Sequence, residues 1–178
     1  MEELLNQIKE ATKCKLYYSA LFMTVAIPDI CSALESQNNN SDPKKYQNWF
    51  NKYITKLAPN KYGSNGQLKA GHLWSIRCSL FHQGATSDKK DYARLLFLEP
   101  GTSGYKSLKS LHCCIVGAET ENKSLLINIG QFCNDMIKGA EQWMDEKKND
   151  EVYKQNIDKL IKRYPKGIAP VIGAPVIG

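Results

Sequence analysis

The sequence predicts a mainly α-helical chain with a small antiparallel β-sheet inserted between its third and fourth helices. Three observations predict it. Long segments repeat apolar residues at helical spacing. The period shortens to that of strands in only three short runs, at 93–98, 111–116 and 125–129. Nothing in the chain has the alternating order of βαβ units, a glycine-rich phosphate loop or a Ser/His/Asp arrangement.

Residues 2–36 read as one long helix or a kinked pair, carried by Leu4, Leu5, Ile8, Ala11, Leu16, Ala20, Met23 and Ile27. Pro28 donates no backbone hydrogen bond and should kink or restart it. The polar stretch QNNNSDP at 37–43 is a loop. Asp42-Pro43 then opens a second helix whose Tyr46, Trp49, Phe50 and Tyr53 read as core. After the loop APNKYGSNG, a third helix covers 67–82, and Gly84 is placed to stop it. ARLLFL at 93–98 is a strand ended by Glu99-Pro100-Gly101. The runs 111–116 and 125–129 are two more, joined by the polar turn GAETENKS. A long helix over 129–148 has Phe132, Met136, Ile137, Ala140 and Trp143 on its apolar face. A shorter one over 151–163 carries Val152, Ile157, Leu160 and Ile161. One domain over 1–166, with its β insertion at about 93–129, therefore precedes a Pro/Gly-rich apolar tail at 167–178. The tail repeats APVIG at 169–173 and 174–178, too short a repeat for a solenoid. It is expected to be flexible or to dock in a groove.

The 178 residues suffice for one domain with a real core. Apolar residues at 42% and charged residues at 24% give an ordinary globular balance. The net charge of +6 suits a polyanionic partner without demanding one. The acidic start MEELLNQIKE lacks the pattern of a signal peptide, and Pro28 and Asp29 interrupt the longest apolar run, so a cytoplasmic chain with no membrane partner is expected. The six cysteines are then reduced thiols, and none forms a C-x-x-C pair. His112-Cys113-Cys114 is a poor metal site, because neighbours on a strand point to opposite faces; these read as buried, inert thiols. No metal or other cofactor is expected. His72 reads as a surface or helix-start residue.

The informative stretch is IRCSLFHQG, residues 76–84. At about 100° per residue, Leu73, Ile76 and Leu80 form an apolar stripe that Phe81 extends. Arg77 falls between Leu73 and Phe81, where a guanidinium is costly unless it snorkels or meets an anion. His82 lies about 140° further round than Arg77 on a regular helix. The two can converge if the helix ends and the ring turns back at Gly84, or if two copies of the helix meet in a symmetric dimer. The plain alternatives are an ion pair for Arg77 and a contact with free helix carbonyls for His82.

An arginine, four intervening residues and a histidine at the end of a helix resemble the R-x4-6-H motif of the HEPN superfamily. The wider stretches LWSIRCSLFHQG, AIPDICSALES, KYQNWFNKYI and QFCNDMIKGAEQW are similar to a bacterial branch of that superfamily, over roughly residues 10–148. The resemblance implies a HEPN-like helical bundle acting as a metal-independent endoribonuclease. It implies a homodimer through the Arg77–His82 helix, RNA as substrate, and a place in toxin–antitoxin or anti-phage defence systems, where an antitoxin would be a further partner. Arg77 would bind the scissile phosphate and stabilise transition-state charge. His82 would serve as general base on the 2′-hydroxyl or general acid on the leaving 5′-oxygen. Many members carry a polar residue after the arginine; here Cys78 occupies that position. Asp29 is a candidate to orient Arg77 or His82, with an N-cap after Pro28 as its plain alternative. Ser79 and Gln83 could donate to phosphate, and Lys89 and Lys90 could hold flanking phosphates, although each also suits an ordinary surface. Two other classes of function remain in view: a non-catalytic HEPN-like module that dimerises or binds RNA or nucleotides, and an unrelated helical interaction protein.

Overall fold

The computed structural model describes residues 1–86, 91–100 and 111–178. The first helical segment is a pair, α1 (Glu2–Lys13) and α2 (Tyr17–Leu34). The break does not fall at Pro28. It falls at Lys15, whose φ of 59° is left-handed. There the Leu16 N–H bonds the Ala11 carbonyl and the Lys15 N–H bonds the Thr12 carbonyl, the paired bonds of a Schellman helix end. Pro28 instead lies buried inside α2. It forfeits one helical hydrogen bond, but α2 is packed by α1 and by every later helix, so tertiary contact carries the helix through. By length and composition α2 is the one described helix apolar enough to cross a membrane; here it is a core helix.

The next helix, α3 (Pro43–Tyr53), starts as its sequence demands. The Asp42 carboxylate accepts the Lys45 N–H at 2.8 Å, and Pro43 occupies the first turn where its missing N–H costs nothing. Tyr46, Trp49, Phe50 and Tyr53 are all core. α4 (Ala70–Gln83) runs through the whole Arg77–His82 stretch. Gly84 ends it at φ 64°, with its N–H on the Leu80 carbonyl.

Between α4 and the next helix lie β1 (Arg94–Leu98), β2 (Cys114–Val116) and β3 (Ser124–Asn128). The sheet order is β1-β3-β2, antiparallel between β2 and β3 but parallel between β1 and β3. The sheet is therefore mixed rather than antiparallel throughout. The polar turn after Gly117 makes β2 and β3 a hairpin, and the insertion of β3 between β1 and β2 makes β1 its parallel neighbour. β2 is also shorter than its apolar run: Cys113 has φ 54°, outside strand geometry.

Asn128 caps α5 (Ile129–Lys147), accepting the Gln131 N–H at 3.0 Å. Phe132, Met136, Ile137, Ala140 and Trp143 line its buried face. Gly139 faces α3, where a Cβ would run into the Ile54 side chain, so the missing side chain lets the two helices close. Asp150 caps α6 (Glu151–Ile157) through the Val152 and Tyr153 N–H groups. α6 ends six residues before the sequence pattern does, because the chain turns into a paired tail. β4 (Arg163–Tyr164) pairs with β7 (Val176–Ile177), and β5 (Gly167–Ile168) with β6 (Val171–Ile172). The tail is thus paired with itself and with the segment before it, and the β4–β7 ladder spans the expected boundary at 166/167. The molecule is mainly α with small sheets.

Candidate functional site

Asp29, Tyr46 and Arg77 bring three helices to one point. α4 carries Arg77 and α2 carries Asp29, one residue past Pro28. The Arg77 Nε–H donates to Asp29 Oδ2 at 2.6 Å. Asp29 caps nothing here; it lies inside α2 and holds the cation. The Arg77 side chain is 28% exposed and that of Asp29 18%, so the pair sits at the edge of the core. The Trp74 ring centroid is 5.2 Å from the guanidinium carbon and the Phe81 centroid 5.5 Å, one aromatic ring a turn to either side of Arg77 along α4. Tyr46 of α3 packs edge-on to Trp74 and donates its hydroxyl to the Val25 carbonyl of α2 at 2.9 Å.

The charges agree with this layout. Burial works to lower the Arg77 pKa, but the Asp29 hydrogen bond and charge, helped by Cys78, outweigh it and raise the value above its usual one. Burial, followed by the Asp29 carboxylate, pushes the Tyr46 phenol well above its ordinary range. Tyr46 is therefore a neutral donor that ties α3 to α2. Asp29 engages the Nε edge of Arg77 and leaves the terminal Nη groups outside the ion pair, a geometry suited to a phosphate.

His82 is exposed near the end of α4, with no hydrogen bond to a described residue. Because α4 stays helical through Gln83, the ring is not turned back at Gly84, and the offset of about 140° from Arg77 persists. One chain presents Arg77 and His82 on different faces. Cys78 is half-buried beside Arg77. The half-buried Ser79 uses its carbonyl to accept the Ala85 N–H, and Gln83 is exposed. Lys89 and Lys90 lie outside the described residues. Phe81 does not extend the buried stripe as its spacing predicts: it is 48% exposed, resting against Phe22 at 5.4 Å.

A second polar cluster joins Tyr62, Asp135 and His112, of which only His112 stands out in the sequence. The Tyr62 hydroxyl donates to Asp135 Oδ2 at 2.8 Å and lies 2.6 Å from His112 Nε2. With its one proton committed to Asp135, the Tyr62 oxygen accepts from His112 Nε2–H. That leaves Nδ1 as the bare nitrogen, buried with no hydrogen-bond partner among the described residues. Burial, aided by the charge of Lys61 and opposed by the Asn128 backbone, lowers the His112 pKa to about 4. Burial also raises the Cys113 thiol to about 12, so it is inert at neutral pH. The His112 side chain is 0% exposed, and the cluster is closed to substrate. Tyr62 and Asp135 belong to segments far apart in sequence, and no local pattern marks them. His72 is likewise buried rather than at the surface, though it does sit at the helix start. Its Nδ1 accepts the Lys69 N–H at 3.1 Å, and its Nε2 lies 2.8 Å from Asp91 Oδ2.

Comparison of the chain with family models, with curated proteins and with solved structures gives no match in any of the three.

Proposed function

We propose that this chain is a metal-independent endoribonuclease of the HEPN type, working as a dimer that pairs the two copies of α4. The observation that carries the reading is Arg77. A cation on the apolar side of a helix is held at its Nε edge by Asp29, leaving its Nη groups for a phosphate. In the proposed reaction the ribose 2′-oxygen attacks the adjacent phosphorus. His82 of one copy takes the 2′-hydroxyl proton, Arg77 stabilises the charge growing on the phosphoryl oxygens, and the P–O5′ bond breaks. The leaving 5′-oxygen takes its proton from water. This chemistry requires a base and a cation on one phosphate, which His82 of one copy and Arg77 of the other supply. It yields a 2′,3′-cyclic phosphate and spares DNA, which has no 2′-hydroxyl.

The dimer follows from the angular offset. One regular helix sets Arg77 and His82 on separate faces, whereas a two-fold axis can bring His82 of one copy against Arg77 of the other. A role in toxin or anti-phage systems fits such an activity.

The test is cleavage of end-labelled RNA in excess EDTA. Wild type should cut and leave cyclic phosphate ends, and Arg77→Ala and His82→Ala should each lower the rate by about 100-fold or more. Cys78 favours a second reading, a non-catalytic RNA- or nucleotide-binding dimer, because a thiol stands where a polar group would otherwise help to orient Arg77. Absence of cleavage on varied RNAs by an intact dimer would select that reading.

A further inference from the structure

Phe81 is an unusual surface residue. It follows Arg77 by one helical turn, so the two share a face. Nearly half of its surface is open to solvent, yet its ring is not free to swing. Phe22 of α2 meets it at an interplanar angle of 83°, and the Arg77 guanidinium lies 5.5 Å from its centroid. Asp29 in turn fixes the guanidinium through Nε. The result is a pre-set pair, a half-exposed aromatic ring beside a cation whose Nη groups lie outside the Asp29 hydrogen bond. That combination matches one nucleotide, whose phosphate suits the cation and whose base suits the ring. A purely apolar partner would leave the guanidinium unmatched, and an acidic peptide would leave the ring unmatched.

We propose that Phe81 is the stacking platform for an unpaired base next to the phosphate on Arg77, so that the site takes single-stranded rather than duplex RNA. The proposal rests on the RNA reading above but not on catalysis. In a duplex both faces of each base are covered by its neighbours, and A-form geometry keeps them from a ring on a helix surface. An unpaired base can swing out and cover Phe81.

A labelled 2′-O-methyl oligouridylate separates binding from chemistry, because its blocked 2′-oxygen cannot attack. Its affinity is measured by fluorescence anisotropy against a duplex of equal length, together with the oligomeric state of each variant. Wild type should prefer the single strand. Phe81→Ala should lose about tenfold of that affinity, with duplex binding and oligomeric state unchanged, and Phe81→Trp should retain it. Equal single-strand affinity for wild type and Phe81→Ala overturns the proposal, as does absence of single-strand binding by wild type. Loss of the dimer in Phe81→Ala also overturns it, because the ring would then serve the second copy. Single-strand binding that depends on Phe81, in a protein that cleaves no unmodified RNA, sustains this proposal while removing the nuclease reading.

Discussion

His112 is shut inside the core with one nitrogen bonded to Tyr62 and the other without a hydrogen-bond partner among the described residues. Protonating it there would bury a cation beside Lys61, and this, with burial as the larger cause, lowers its pKa from 6.5 to about 4. The unfolded chain binds the proton first as pH falls. The contribution of neutral His112 is therefore complete above about pH 6.5 and is lost progressively down to about pH 4, a total of about 3 kcal/mol. Urea unfolding at about pH 7.5 and about pH 4.5 should show wild type losing more stability than His112→Gln, whose side chain does not titrate. Equal losses in the two proteins would place the acid sensitivity in the carboxylates instead. Arg77 is the opposite case: its permanent charge is tolerated at the core edge because Asp29 reaches its Nε.

Asn156 of α6 shows how one element holds another. It is buried, and its amide donates to the Leu34 and Ser36 carbonyls at 3.1 and 2.8 Å, closing the C-terminal end of α2. Asn156→Ala should lower stability by about 1–3 kcal/mol, read as a drop in the urea midpoint, because two carbonyls lose their donor. A change under about 0.5 kcal/mol would mean that water replaces the amide. The same elements explain what the sequence made legible. α3 and α5 carry apolar stripes and side-chain caps, both local signals; α3 starts at its expected Asp42-Pro43 signal, and α5 stands within a residue of its expected ends. The α1–α2 break was not legible, because Lys15 carries no glycine-like signature while Pro28 carries a misleading one. The parallel β1–β3 pairing depends on where β3 inserts, which no strand's own residues record. α6 ends early because the tail's ladders, a non-local contact, claim the chain beyond it.

The candidate site follows the same division at the level of the whole molecule. Its motif was legible in α4 alone: an arginine out of place on an apolar face poses the question without any structure. Its setting was only partly legible. Asp29 stood out as a carboxylate in an apolar run, but its bond to Arg77 depends on α2 continuing past Pro28. Tyr46 and the exposure of Phe81 depend on how three helices meet. The central claim, that Arg77 and His82 form one site only across two copies, is tested most directly by subunit mixing. Arg77→Ala and His82→Ala proteins, each inactive alone, are unfolded together, refolded and assayed on RNA in EDTA. In a mixed dimer one composite site keeps both wild-type residues, so an equal mixture should recover about one quarter of wild-type activity. A mixture that stays as inactive as its parents, with mixed dimers demonstrated in solution, would contradict the account.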